Sequence, residues 1–308
     1  MTDRRYVVLA GRSVLAISGE DARGFLQGMI SNDMRKVSPA RTIYAAFLTP
    51  QGKFLADLFV AESEGRFLLD CEANRLAELV RRLALYKVRA RVAFDDRSGD
   101  YLCAALIGPK SSEALGLAAE GGASRALDGG VAYTDPRLVD LGARAMVPRA
   151  SALHAFAALG FAAGAAEDYE RLRLELGVPD GSRDMAIEKA ILLENGFEEL
   201  NGVDFEKGCF IGQELTARTK HRGLIKKRLF KVAVEGPVPQ PGTPILLGEH
   251  EAGEMRSGLG ALGLALLRLE DVRRSEQQGT PLRAASAVLR PIAPKWARIG
   301  DLGEERVD

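Results

Sequence analysis

Residues 207–223 read KGCFIGQELTARTKHRG, with Gly208, Gly212 and Gly223 set around one cysteine and a short polar segment. Glycine at this density marks backbone of positive φ or close approach by another surface. Helix-forming residues begin at Gln213, with Gly212 placed to cap the start and Gly223 to follow the end. Cys209 then falls just before a helix N-terminus, where the helix dipole and Lys207 favour the thiolate. The plainer alternative is a small buried cysteine in a turn shaped by glycines. Leu215 and Ala217 are the apolar members of the helix, which therefore lacks the stripe that anchors a helix to a core. Something other than burial is expected to fix it.

At 308 residues the chain is long enough for two or three domains. Lys plus Arg and Asp plus Glu both number 42, so no global field draws it to nucleic acid or a membrane. Cys71, Cys103 and Cys209 are far apart, odd in number and form no CxxC pair, which argues against a disulfide framework or structural zinc. They also fall short of the four thiolates an intrinsic iron-sulfur centre usually needs. His154, His221 and His250 show no metal-ligand spacing, so no protein-made metal site is expected. The N-terminal apolar run is broken by Arg12 and no stretch is long enough to span a bilayer; a cytoplasmic location is expected.

Along the chain, residues 6–19 read as two β-rich runs around Gly11-Arg12, a hairpin. Residues 20–30 put Ala22, Phe25, Leu26, Met29 and Ile30 at helical spacing. Two strands follow, joined at Thr49-Pro50-Gln51-Gly52 by a proline-then-glycine turn. From 66 to about 148 the order is β-α-β-β-α-β, that of a ferredoxin-like unit, with Leu76, Leu79, Val80 and Leu83 as the buried stripe of its first helix. A helix is expected at 167–177, with Tyr169, Leu172 and Leu176 on one face. After Gly223 the texture turns to Pro, Gly and β-branched residues, indicating a small C-terminal β-barrel or sandwich.

The run at 207–223 resembles the signature of the YgfZ family, folate-binding proteins of iron-sulfur cluster assembly related to the glycine cleavage T-protein. Lys207, Gly208, Cys209, Gly212, Gln213, Glu214, Arg218, Arg222 and Gly223 all match. Residues 19–33 and 50–57 resemble two further elements of that family, and bring in Asn32 and Asp57. The resemblance implies an α+β fold: a ferredoxin-like unit (66–159) inserted in a T-protein-like folate-binding domain (1–65 with 160–223), then a C-terminal β-barrel (224–308), arranged as a three-lobed ring. It implies tetrahydrofolate or a derivative held by Asn32, Asp57, Glu194, Lys207, Gln213, Arg218 and Arg222, with Glu194 accepting two hydrogen bonds from the pterin edge. Cys209 is the redox or transfer thiol.

Three functions follow. The favoured one is a folate-binding accessory protein supporting assembly or repair of iron-sulfur clusters, without a cluster of its own and partnered by client or assembly proteins. The second is an aminomethyltransferase, which needs a carboxylate beside the folate nitrogens, from Asp57 or Asp70. The third is an RNA-binding module using the basic run Arg218, Lys220, His221, Arg222, Lys226, Lys227, Arg228 and Lys231. The plain reading of its later lysines is a solvated strand.

Overall fold

The computed structural model describes residues 3–221 and 225–299. It divides into two compact units, 3–169 with 200–213 and 170–199 with 214–299.

The chain starts with β1 (Arg5–Val8), β2 (Arg12–Ser18) and helix α1 (Ala22–Met29). The hairpin β3 (Ile43–Leu48) and β4 (Phe54–Ser63), β5 (Arg66–Glu72), helix α2 (Leu76–Lys87) and β6 (Ala93–Asp96) follow. Next come β7 (Tyr101–Ile107), the single turn α3 (Ser111–Ala114), β8 (Ser124–Leu127), β9 (Gly130–Thr134) and β10 (Ala143–Pro148). Helix α4 (Ala152–Ala158), the two-residue β11 (Ala162–Ala163) and helix α5 (Ala166–Leu176) close this part.

Two sheets form, ordered β3-β4-β5-β2-β6 and β11-β1-β7-β10-β9-β8. The expected hairpin at 6–19 does not form: β1 pairs with β7 and β11, whereas β2 pairs with β5 and β6. The β-α-β-β-α-β order is present, but its strands divide between the sheets, since β5 and β6 flank β2 while β7 to β10 join β1. Element order is local information; the choice of sheet is made by distant partners. The helical stripes fall where their spacing puts them, with Ala22, Phe25 and Leu26 buried on α1 and Leu76, Leu79 and Leu83 on α2.

A buried ion cluster ties the sheets together. Arg12, on β2, donates Nε to Asp70 of β5 at 2.6 Å and Nη1 to Asp57 of β4 at 2.7 Å. Asp70 uses its second oxygen to accept Arg144 Nη2 of β10, in the other sheet, at 2.6 Å. Arg137 pairs with Asp135 at 2.8 Å and donates to the Tyr169 hydroxyl at 2.8 Å. The guanidiniums of Arg12, Arg137 and Arg144 lie 5.6, 4.9 and 4.1 Å from the Phe59 ring centroid, where the ring face attracts cations.

The second unit contains α6 (Gly181–Asp184), most of α7 (Gln213–His221) and the barrel. The barrel strands are β12 (Lys227–Glu235), β13 (Pro244–Leu247), β14 (His250–Leu259), β15 (Leu262–Arg268), β16 (Leu282–Ala284) and β17 (Ala287–Ile292), with α8 (Leu269–Gln278) after β15. They close in the order β12-β15-β14-β13-β16-β17 around Phe230, Val232, Ile245, Met255 and Leu267. On α5 the fully buried residues are Arg173 and Leu174 rather than Leu172 and Leu176. The reason is pairing: Arg173 meets Asp184 at 2.8 Å and the Ser257 hydroxyl at 2.8 Å. Trp296 donates its indole N–H to Leu176 O at 2.8 Å, and its ring lies so close to Gly196 that a Cβ there would sit 2.3 Å from it.

Asp70→Ala deprives two buried guanidiniums of one shared carboxylate, and stability is expected to fall by about 3–5 kcal/mol in urea denaturation. Burial pushes the Asp70 carboxyl up, but the guanidiniums of Arg12 and Arg144 outweigh it and hold it below the usual range. Its contribution is therefore whole above the unfolded-state pKa of about 3.9 and is lost as pH falls through the lower folded value.

Candidate functional site

Cys209 is exposed, whereas Cys71 and Cys103 are buried. Burial pushes the Cys71 thiol up to about 12 and raises that of Cys103 well above the ordinary value, so both are inert as nucleophiles.

The loop that carries Cys209 is clamped on either side of it. Lys207 is 5% exposed. Its ammonium donates to Gln27 O and Ile30 O, each at 2.5 Å, meeting carbonyls that the end of α1 leaves unpaired. Gln27 returns a bond from Nε2 to Lys207 O at 2.9 Å, and the Phe210 ring centroid lies 4.9 Å from the ammonium. Ile211 N donates to Gly28 O at 3.0 Å. Gly212, at φ +82°, rests on the 49–52 turn; a Cβ there would sit 2.5 Å from Thr49 O and 2.9 Å from Gly52 Cα. Gln213 accepts Phe210 N–H at 3.1 Å and so closes the turn that opens α7. The helix that lacked an apolar stripe is thus entered from a tightly fixed loop. The FLQG residues of α1 and the PQG turn at 50–52 form the seat beneath the cysteine.

The nominated ligands do not share one role. Lys207 is a clamp and Gln213 a turn-closing side chain. Asn32 is buried, donating to Tyr44 O at 2.7 Å and Asn201 O at 2.8 Å while accepting Asp33 N–H at 2.8 Å. Asp57 belongs to the buried ion cluster. In the second unit, Glu194 is half-buried on a 3-10 turn, Leu192–Asn195, and Arg218 pairs with Glu214 at 2.8 Å on the surface. Arg222 and Gly223 lie outside the described residues. Within the first unit Asn32 also lines a cavity of about 300 Å³, with Lys36, Tyr44, Gly121, Asn201 and Val203 around it. Sequence reasoning missed Lys36 and Asn201; the one sign available for Asn201 was its Asn-Gly context, and it adopts φ +55°.

Among the described residues, three members of the basic run meet carboxylates, and a fourth meets a backbone carbonyl. Arg218 has Glu214, Lys220 has Glu198 at 2.9 Å, Arg228 pairs with Glu199 in the interior, and Lys231 donates to Glu175 O at 3.1 Å.

Two outcomes are expected from the clamp. Burial lowers the Lys207 ammonium to about 8, against about 10.4 in the unfolded chain. Between these values the unfolded state binds more protons, so stability rises with pH. Urea denaturation from about pH 7.5 to pH 10 should show this rise in the wild type relative to Lys207→Met. Gly208, at φ +89°, has nothing within 4 Å of where a Cβ would stand, so Gly208→Ala adds only left-handed strain of about 1–2 kcal/mol. Gly212→Ala adds overlap with the 49–52 turn as well and is expected to lower the melting temperature further.

The "GCVT N-terminal domain" model matches residues 12–128 and the "CAF17, C-terminal beta-barrel domain" model matches 226–299. The glycine cleavage system aminomethyltransferase T of Bartonella henselae superposes with a TM-score of 0.75 at 15% identity, covering 96% of this chain and 87% of that one, and the likeness extends to the fold alone. The iron-sulfur cluster assembly factor IBA57, mitochondrial, of Mus musculus is 34% identical over 94% of this chain and 84% of its own length. The human protein of that name is 37% identical over 86% and 78%. The Mycosarcoma maydis homologue is 32% identical over 85% and 73%. These relatives are named as mitochondrial, which overturns the cytoplasmic expectation: unpaired thiols and the lack of a signal pattern report on redox conditions and secretion, and cannot distinguish one reducing compartment from another. By identity and by coverage, the chain belongs to the family of the iron-sulfur cluster assembly factor IBA57.

Proposed function

We propose that this protein supports assembly or repair of iron-sulfur clusters in client enzymes through the thiol of Cys209, without holding a complete cluster of its own. The observation that carries this reading is the contrast among the cysteines: one exposed on a clamped loop, two buried and inert. A cluster usually takes four thiolates. One exposed sulfur can supply a single ligand or receive a transferred one, so the others must come from a partner. The clamp holds that sulfur outward at small entropic cost on docking.

Tetrahydrofolate binding is the second part of the proposal, and the residues divide over it. Asn32, Asp57 and Lys207 do not fit as ligands, because their polar atoms already serve the framework, and the Gln213 side-chain oxygen is likewise taken by Phe210 N–H. Glu194, half-buried, is the acceptor for the pterin, and Arg218, whose pair with Glu214 is exposed and exchangeable, is the cation for an anionic tail. The aminomethyltransferase reading is weakened because Asp57 and Asp70, its candidate carboxylates, are both locked to guanidiniums. The RNA reading is weakened by the acids that pair Arg218, Lys220 and Arg228.

Calorimetric titration with tetrahydrofolate is expected to show binding by the wild type and by Cys209→Ala, and none by Glu194→Ala. In cells depleted of the native protein, Cys209→Ala is expected to lose support of iron-sulfur enzymes. Absence of folate binding by the wild type overturns the folate part; full rescue by Cys209→Ala overturns the thiol part.

A further inference from the structure

On the C-terminal barrel, Asp271 has a carboxylate that is 0% exposed, and among the described residues neither of its oxygens receives a hydrogen bond. An acid in the first turn of a helix ordinarily accepts from the backbone N–H groups of the helix start, and the Asp271 oxygens make no such bond. Two groups stand at ion-pair distance without hydrogen-bond geometry: His250 Nε2, 3.3 Å from Oδ2, and Arg274 Nη1, 3.4 Å from Oδ1. Glu270 is beside it on the solvent side. One ligand atom from each of His250, Glu270 and Asp271 lies within 4.8 Å of the other two.

We propose that His250, Glu270 and Asp271 bind one divalent transition-metal ion. Ligands about 2.0–2.1 Å from a tetrahedral ion are about 3.4 Å apart, and the imidazole and buried carboxylate already stand at 3.3 Å. Glu270 and the ring of His250 are exposed and reach the third corner by side-chain rotation. An imidazole with two carboxylates suits Zn²⁺ or Fe²⁺; Mg²⁺ and Ca²⁺ take oxygen donors in larger number. Three protein ligands leave a fourth position for water, the pattern of an exchangeable ion. Arg274 is a built-in competitor, since its cation occupies the field of the same carboxylate and repels an incoming metal. This site is independent of Cys209 and of the cluster reading.

Zn²⁺ alone, titrated calorimetrically into the full chain carrying Cys209→Ser to remove the exposed thiol, tests it. One ion per chain is expected, with affinity about tenfold or more weaker in His250→Ala and in Glu270→Ala and stronger in Arg274→Ala. All three substitutions remove solvent-facing side chains, so the fold is kept, and Mg²⁺ should give no heat. Absence of Zn²⁺ binding, equal affinity in His250→Ala, or equal binding of Mg²⁺ overturns the assignment.

Discussion

The first unit depends on one carboxylate. Asp70 has both oxygens engaged, one by Arg12 of its own sheet and one by Arg144 of the other. Around it three aspartates balance three arginines, so the buried charges sum to zero, and the Phe59 face receives all three cations. Each ion is expensive to take out of water, and that expense is met only when every partner is in position. Apolar side chains could fill the same volume while tolerating small slides. A guanidinium forked between two strands tolerates far less, and so fixes the register of β2, β4, β5 and β10 together.

That fixed frame is what allows a loop to be functional without being loose. The cysteine is raised on a segment whose neighbours on both sides are engaged: a buried ammonium on the carbonyls ending α1, and a glycine pressed on the turn between β3 and β4. The lysine and glycine next to it read in the sequence as parts of a reactive environment or a ligand set. Their physical task is mechanical, to place a sulfur in solvent with little freedom to retreat.

Much of this was legible, and the divisions have physical causes. Helical stripes such as Ala22, Phe25 and Leu26 are set by spacing within one turn or two. The barrel showed itself through its turn residues, and the unusual chemistry of 207–213 through glycine density. Sheet membership was not legible, because β1 finds its partner about a hundred residues away in β7. Nor was the pairing of Arg218, Lys220 and Arg228, whose acids come from Glu214, Glu198 and Glu199. Asn32, Asp57 and Lys207 were legible as special but not as parts of the framework that engages them, since a motif marks a constrained residue without saying whether the constraint is a ligand or a fold. His250 and Asp271 are separated by a strand and a helix start, beyond the reach of any short metal-ligand pattern.

The contact of Trp296 with Gly196 has an optical consequence. The chain contains one tryptophan and six tyrosines, and the tyrosines (Tyr6, Tyr44, Tyr86, Tyr101, Tyr133 and Tyr169) all fall in the first unit while the indole falls in the second. Emission excited at the red edge of the ultraviolet band thus follows only the barrel unit, and near-ultraviolet dichroism from phenol rings follows the other. The protein carries two natural chromophores of different colour, one for each half, and needs no label to reveal whether its halves melt together.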